Sequence, residues 1–271
     1  MAKNVLLIQL CSLLALSTIS CSPTPVSSTY SRNEIEDILK KICHQEFDID
    51  VHAWNVGDTF WIYASFNKML NDDNQLDKEA IDKIQKILLS IQRVVLSMDK
   101  PPKFYFFVAA DIKIGADLFY IGFTPDMVKY QLGFISRGEI QERKVSNYLP
   151  NPGAIGDLEG KHIPKYELTM GEFISYLIRQ NLQDKFNAEE FKKHFQVLDL
   201  RCYYYNKSLG IMFNIKVIDE KEGLPSPFEE AIKTVKKYLT IYGFKDVIEI
   251  EINDTANKKR RLYTLNALME D

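Results

Sequence analysis

The chain has 271 residues, of which 46% are hydrophobic and 26% charged, with 34 Lys and Arg against 37 Asp and Glu for a net charge of −3. That apolar fraction is enough to bury one large core or two small ones, which excludes disordered, collagen-like and low-complexity classes. The near-balanced charge lacks the basic footprint of a nucleic-acid binder, so no nucleic-acid partner is expected.

The first residues are set apart from the fold. Lys3 and the amino terminus form a short positive region, and Val5 to Leu16 (VLLIQLCSLLAL) form an apolar run. The run is too short for a hydrocarbon core of roughly 30 Å, which takes about 20 helical residues. Ser17-Thr18-Ile19-Ser20-Cys21 follows it and resembles the lipobox of bacterial lipoproteins, with Thr18 where Leu is usual. The resemblance implies a signal peptide over 1–20, cleavage before Cys21, and lipidation of Cys21 by acyl chains such as palmitate. An ordinary secretory signal cut near Ser20 or Ser22, and an uncleaved anchor, remain open. Ser22 to Thr29 (SPTPVSST) reads as a tether within 21–30, and at about 3.1 Å per residue it reaches roughly 25 Å. Ser22 after the cysteine, in place of Asp, resembles the outer-membrane sorting pattern. It implies a cell-envelope protein held to the outer membrane, facing the periplasm.

The folded elements are expected from residue 31 onward. Ser31 and Glu34 form a capping box, and Ile35, Ile38, Leu39, Ile42 and Cys43 make one helical stripe. Phe47, Ile49, Val51 and Ala53 alternate with Asp48, Asp50 and His52 as a strand would. After turn chemistry at Asn55-Val56-Gly57-Asp58, Phe60, Ile62, Ala64 and Phe66 alternate again. Asp77 caps a long helix marked by Ile81, Ile84, Leu88, Ile91 and Val95. Phe104 to Ala110 is apolar on both faces, as a central strand is, and Leu118 to Phe123 follows it. Thr124-Pro125 opens a helix to about Phe134, and the Ser136/Glu139 capping box opens another to about Val145. Residues 146–165 read as a Pro/Gly-rich loop, and a helix capped by Thr169 and Glu172 follows as a bridge.

The C-terminal part repeats the order. A short helix at Asn187 to Phe195 precedes strands at Val197 to Tyr205 and Ile211 to Ile218. Ser226-Pro227-Phe228-Glu229 starts a helix that Gly243 ends. Strands at Val247 to Ile252 and Leu262 to Leu265 close the chain. The expected fold is α+β, with two similar α-β-β-α-β-β lobes at 31–145 and 187–271 joined by a helical bridge over 146–186. In element order each lobe looks like the small modules of envelope proteins, such as BON domains and the ring-building motifs of secretion systems. The glycine-valine pattern of BON strands is absent at Gly57-Asp58-Thr59.

Chemistry is harder to find. Cys43 and Cys202 remain after processing, and a disulfide between them is one reading, with buried free thiols the other. No C-x-x-C or H-x-x-x-H pair supports a zinc site, and neither a metal nor another cofactor is expected. Gly153, Gly156 and Gly160 do not match a phosphate-loop spacing. Asp48, Asp50 and His52 could hold a hard cation, though alternation alone accounts for them as a solvated face. His162, like the other histidines, is expected at the surface or rim. No catalytic residue is assigned. Lys258-Lys259-Arg260-Arg261 is the one sharp charge run, expected in a hairpin loop and suited to anionic lipid or polyanion contact. In Tyr203-Tyr204-Tyr205 alternation should leave one or two rings exposed. The sequence points to a non-enzymatic, lipid-anchored envelope protein with a binding or assembly role and an envelope protein partner. The alternative is an envelope hydrolase with a site near 146–165.

Overall fold

A computed structural model describes residues 30–71, 75–219 and 226–270. The expected signal peptide, Cys21 and all of the tether but Tyr30 lie outside the described residues. Tyr30 itself pairs with the end of the second helix, its N–H donating to the Ser97 carbonyl at 3.2 Å.

The first lobe runs α1 (Ile35–Phe47), β1 (His52–Val56), β2 (Thr59–Phe66), α2 (Lys78–Leu96), β3 (Phe104–Asp111) and β4 (Ala116–Phe123). Two short helices, α3 (Thr124–Gln131) and α4 (Arg137–Glu142), lead to β5 (Lys144–Pro150). The sheet order is β1-β2-β3-β4-β5, with β2 and β3 parallel and every other pair antiparallel. Two parallel neighbours need a crossover, and α2 supplies it. Phe104 to Asp111 takes the middle position, which is why that segment is apolar on both faces.

The second lobe has α5 (Met170–Asn187), a single turn α6 (Glu189–Lys192), β6 (Phe195–Tyr205), β7 (Ser208–Val217), α7 (Pro227–Tyr242), β8 (Glu249–Asp254), β9 (Lys259–Tyr263) and α8 (Leu265–Glu270). Its sheet order is β6-β7-β8-β9, again with only the inner pair, β7 and β8, parallel. The fold is therefore α+β with two similar lobes. Their likeness reaches individual hydrogen bonds. In the first, Phe66 sits opposite Asp111, the Phe66 carbonyl accepts from Ile112 N–H, and Asp111 caps the following turn at Lys113 and Ile114. In the second, Phe213 sits opposite Asp254, its carbonyl accepts from Thr255 N–H, and Asp254 caps Ala256 and Asn257.

Several expectations are corrected. The helix expected at Asn187–Phe195 is only the turn α6, because the first helix of the second lobe is α5, the one expected as a bridge. It packs on β6 and α7 as α1 packs on β1 and α2, and it also reaches β5 of the first sheet. The first strand begins at His52 and not at Phe47, since α1 runs on to Phe47 and ends with Asp48 in the left-handed conformation (φ 54°). Residues 146–150 are strand and not loop, because pairing with β4 overrides the local helix signal that ends at Glu142.

The first sheet has two covered faces. Phe60, Ile62, Ala64, Tyr105, Phe107 and Ala109 face α1 and α2 in one core. On the opposite face Phe104 and Ile121 pack against α5, in a core shared with the second lobe. The rest of that face carries Trp61, Tyr63, Val108 and Ala110, and among the described residues the segment 151–168 covers it. We call this segment the strap.

Candidate functional site: an aromatic pocket under the strap

The strap is anchored along its length. Ala154 and Ile163 are buried against the sheet, and Leu168 N–H donates to Thr59 Oγ1 at 2.7 Å. Glu167 Oε1 accepts from Asp58 N–H at 2.9 Å, and Trp61 Nε1 donates to the Tyr166 carbonyl at 2.8 Å. Tyr63 donates its hydroxyl to the Asp157 carbonyl. At Gly160 (φ +69°) a Cβ would lie 2.8 Å from the Tyr63 ring and 3.2 Å from Trp54. Both the left-handed backbone and the close crossing therefore require glycine there. That is the role of Gly160, and phosphate binding is not needed to explain it.

A chain of polar groups closes the strap onto β4. His162 Nδ1 lies 2.5 Å from Asp157 Oδ2, and Nε2 lies 3.1 and 3.2 Å from the two Asp117 oxygens. Asn151 Nδ2 donates to Asp117 Oδ2 at 2.5 Å. The His162 side chain is 8% exposed, with Asp117 at 11% and Asp157 at 10%. A carboxylate oxygen therefore stands within hydrogen-bond reach of each ring nitrogen of His162. Asp157 is buried, which raises a carboxyl pKa, but the N–H groups of Glu159 and His162 and the imidazole outweigh burial and hold it down at about 2. His162 was expected at the surface, because an isolated histidine in a Pro/Gly-rich segment gives no periodicity from which burial can be read.

Beside this chain lies a cavity of about 180 Å³. The sheet contributes Trp61, Phe106, Val108, Asp117 and Phe119, and the strap contributes Asn151, His162, Ile163, Pro164 and Tyr166. Trp61 and Phe106 stack with centroids 4.1 Å apart. Tyr166 is tilted by 58° to Trp61, and Phe119 by 35° to Phe106. Alternation in three neighbouring strands brings the sheet residues to one face. The Trp61 and Phe106 side chains share a register position, as do Phe106 and Ile121. Lys165 is committed elsewhere, donating to the Gly160 and Ile163 carbonyls and lying 4.1 Å over the Trp54 ring.

The other sequence candidates are dispersed. Cys43 is fully buried in the core under α1, and its burial raises the thiol pKa. Cys202 packs in the second-lobe core, where burial pushes its thiol up to about 12. Both are free thiols in separate cores, so the proposed disulfide is not formed. Asp48 caps α1 and Asp50 pairs with His44 at 3.0 Å, so they share no strand face with His52. Among the described residues no three His, Cys, Asp or Glu side chains converge as a metal set. The basic run is mostly strand and not loop: Lys258 is in the turn (φ 52°), while Lys259, Arg260 and Arg261 lie in β9. Strand alternation splits them. Lys259 and Arg261 lie over Phe228, whereas Arg260 pairs with Glu251 at 2.7 Å on the other face. Of the three tyrosines, Tyr203 and Tyr205 are exposed and Tyr204 packs on Gly171 of α5.

No protein-family model, curated protein or solved structure matches this chain.

Proposed function

We propose that this protein is a non-enzymatic binding protein of the bacterial cell envelope, anchored by lipid on Cys21 to the outer membrane and facing the periplasm. The observation that carries the binding reading is the pocket under the strap, a preformed concavity with aromatic walls and a few fixed polar groups. The strap's imidazole weighs against the hydrolase alternative. A general base needs a nitrogen free to meet its proton, and both His162 nitrogens are held by carboxylates. The anchor reading is supported by the lipobox-like sequence and by the short stretch of sequence between Cys21 and Tyr30, the first described residue. An envelope protein partner would be met from this tethered position.

The anchor is tested in cells fed an alkyne analogue of palmitate. The wild-type chain is expected to carry label and to fractionate with membranes, and Cys21→Ser to lose both. Membrane retention of unlabelled Cys21→Ser would sink the lipid anchor. Protease protection in intact cells, relieved by permeabilising the outer membrane, is the outcome expected for a periplasmic face. Crosslinking in the native envelope would identify the partner.

A further inference from the structure

We infer that the pocket under the strap is a site for a small organic cation of the ammonium type, a deepening that rests on the binding reading above. Three features of the cavity converge on that ligand. The first is its wall of rings: Trp61, Phe106, Phe119 and Tyr166 supply electron-rich surface, which attracts a cation through the ring quadrupole. The second is charge. Asp117 lines the cavity and Asp157 stands behind His162, so two carboxylates and one imidazole leave a negative balance whether the ring carries one proton or two. Among the described residues no lysine or arginine lines the cavity, and the two lysines of the strap are engaged elsewhere, Lys161 with Glu159 at 2.8 Å and Lys165 over Trp54. The third is size. About 180 Å³ is below the range of drug-sized pockets and suits a head group or a small free amine.

A neutral apolar ligand would fit the rings equally well but would gain nothing from the carboxylates. An anion would oppose both rings and carboxylates. The shared chemistry is a methylated or quaternary ammonium group, which reaches the pocket either as a free solute or as a lipid head group.

The test uses the full-length chain purified in a non-ionic detergent. Choline, its neutral isostere 3,3-dimethylbutanol, and vesicles of phosphatidylcholine or phosphatidylglycerol are titrated by calorimetry and by the indole N–H resonance of Trp61. Choline is expected to bind and shift that resonance, and the isostere to bind about tenfold more weakly or not at all. Phe119→Leu, which keeps an apolar side chain but removes a ring, and Asp117→Asn, which removes the charge, are each expected to weaken choline about tenfold. Phe119→Leu keeps the test open should Asp117→Asn unfold the strap. Response to phosphatidylcholine vesicles but not to choline assigns the head group as the source, and response to choline assigns the free solute. Equal binding of choline and the isostere, or no response to either cation source, overturns the site. Acylation at Cys21 is read separately, so the two proposals fail independently.

Discussion

At position 122 a methyl group would lie 2.3 Å from the Tyr105 ring and hydroxyl, and at position 210 it would lie 2.1 Å from the Tyr203 ring. The overlaps match, yet the expected costs differ. Tyr105 is held in the core under α1 and α2, whereas Tyr203 is 39% exposed on the open face of the second sheet and can swing aside. Gly122→Ala is expected to destabilise by about 2–3 kcal/mol and Gly210→Ala by less than about 1 kcal/mol. Urea denaturation of the two variants decides it, and equal losses would refute the distinction. The strap supplies a pH effect at the same scale. A carboxyl depressed by folding contributes stability that is complete above its unfolded value and lost as pH falls through the folded one. Asp157 is held at about 2 against an ordinary 3.8. Amide exchange over residues 157–163 is therefore expected to accelerate as pH falls from about 4 toward 2, beyond the intrinsic trend, and Asp157→Asn to abolish the excess.

At the scale of elements, the free edge of β5 shows how one side chain finishes a sheet. Gln180 of α5 accepts from Ser146 N–H at 2.6 Å and donates to the Lys144 carbonyl at 3.2 Å, as the peptide of a further strand would. Unpaired edges invite association, and this one is occupied. Gln180→Ala is expected to cost about 1 kcal/mol and to raise exchange at the Ser146 amide. Gln180→Glu, which keeps the acceptor and loses the donor, should fall between. An unchanged Ser146 amide in Gln180→Ala would show that the contact protects nothing. Elements with a strong local signature were legible in the sequence. The capping boxes at Ser136/Glu139, Thr169/Glu172 and Ser226/Glu229 all form, and Gly243 ends α7 in the left-handed conformation. β5 was not legible. Its support is the ladder to β4 and the Gln180 contacts from α5, both contacts across sequence that KVSNYLP does not announce.

Across the whole molecule, the lobes are joined by polar ties set in an aromatic cluster. Asp126 of α3, 1% exposed, accepts from Arg143 at 3.1 Å and from the Tyr242 hydroxyl of α7 at 2.7 Å. Burial, and then the Asp126 charge, raises the Tyr242 phenol far above its usual range. Around them the rings of Phe104, Phe123 and Phe173 meet one another tilted, and Tyr242 meets Phe123 and Phe173 edge-on with centroids 5.8 Å apart. Tyr242→Phe keeps the ring and removes one hydrogen bond to a buried carboxylate, so a loss of about 1.5–3 kcal/mol is expected. Calorimetry should show one transition at lower Tm. The ring cluster and the shared core still couple the lobes. An unchanged Tm would mean that Asp126 is fully served by Arg143.

The sequence by itself determined the α+β class, the repeated order of elements and the central place of Phe104 to Ala110. These rest on periodicity, capping and turn chemistry, which act within a few residues. Only the tertiary structure decided that α5 serves the second lobe and bridges to the first, that β9 takes up most of the basic run, and that residues 151–168 strap the open face of a sheet. It alone brought His162 between Asp117 and Asp157, and four rings from three strands and the strap around one cavity. Those partners are separated by as many as 105 residues, as Trp61 and Tyr166 are. Contacts of that span are selected by which faces remain uncovered after the sheets form, and no local pattern encodes that remainder.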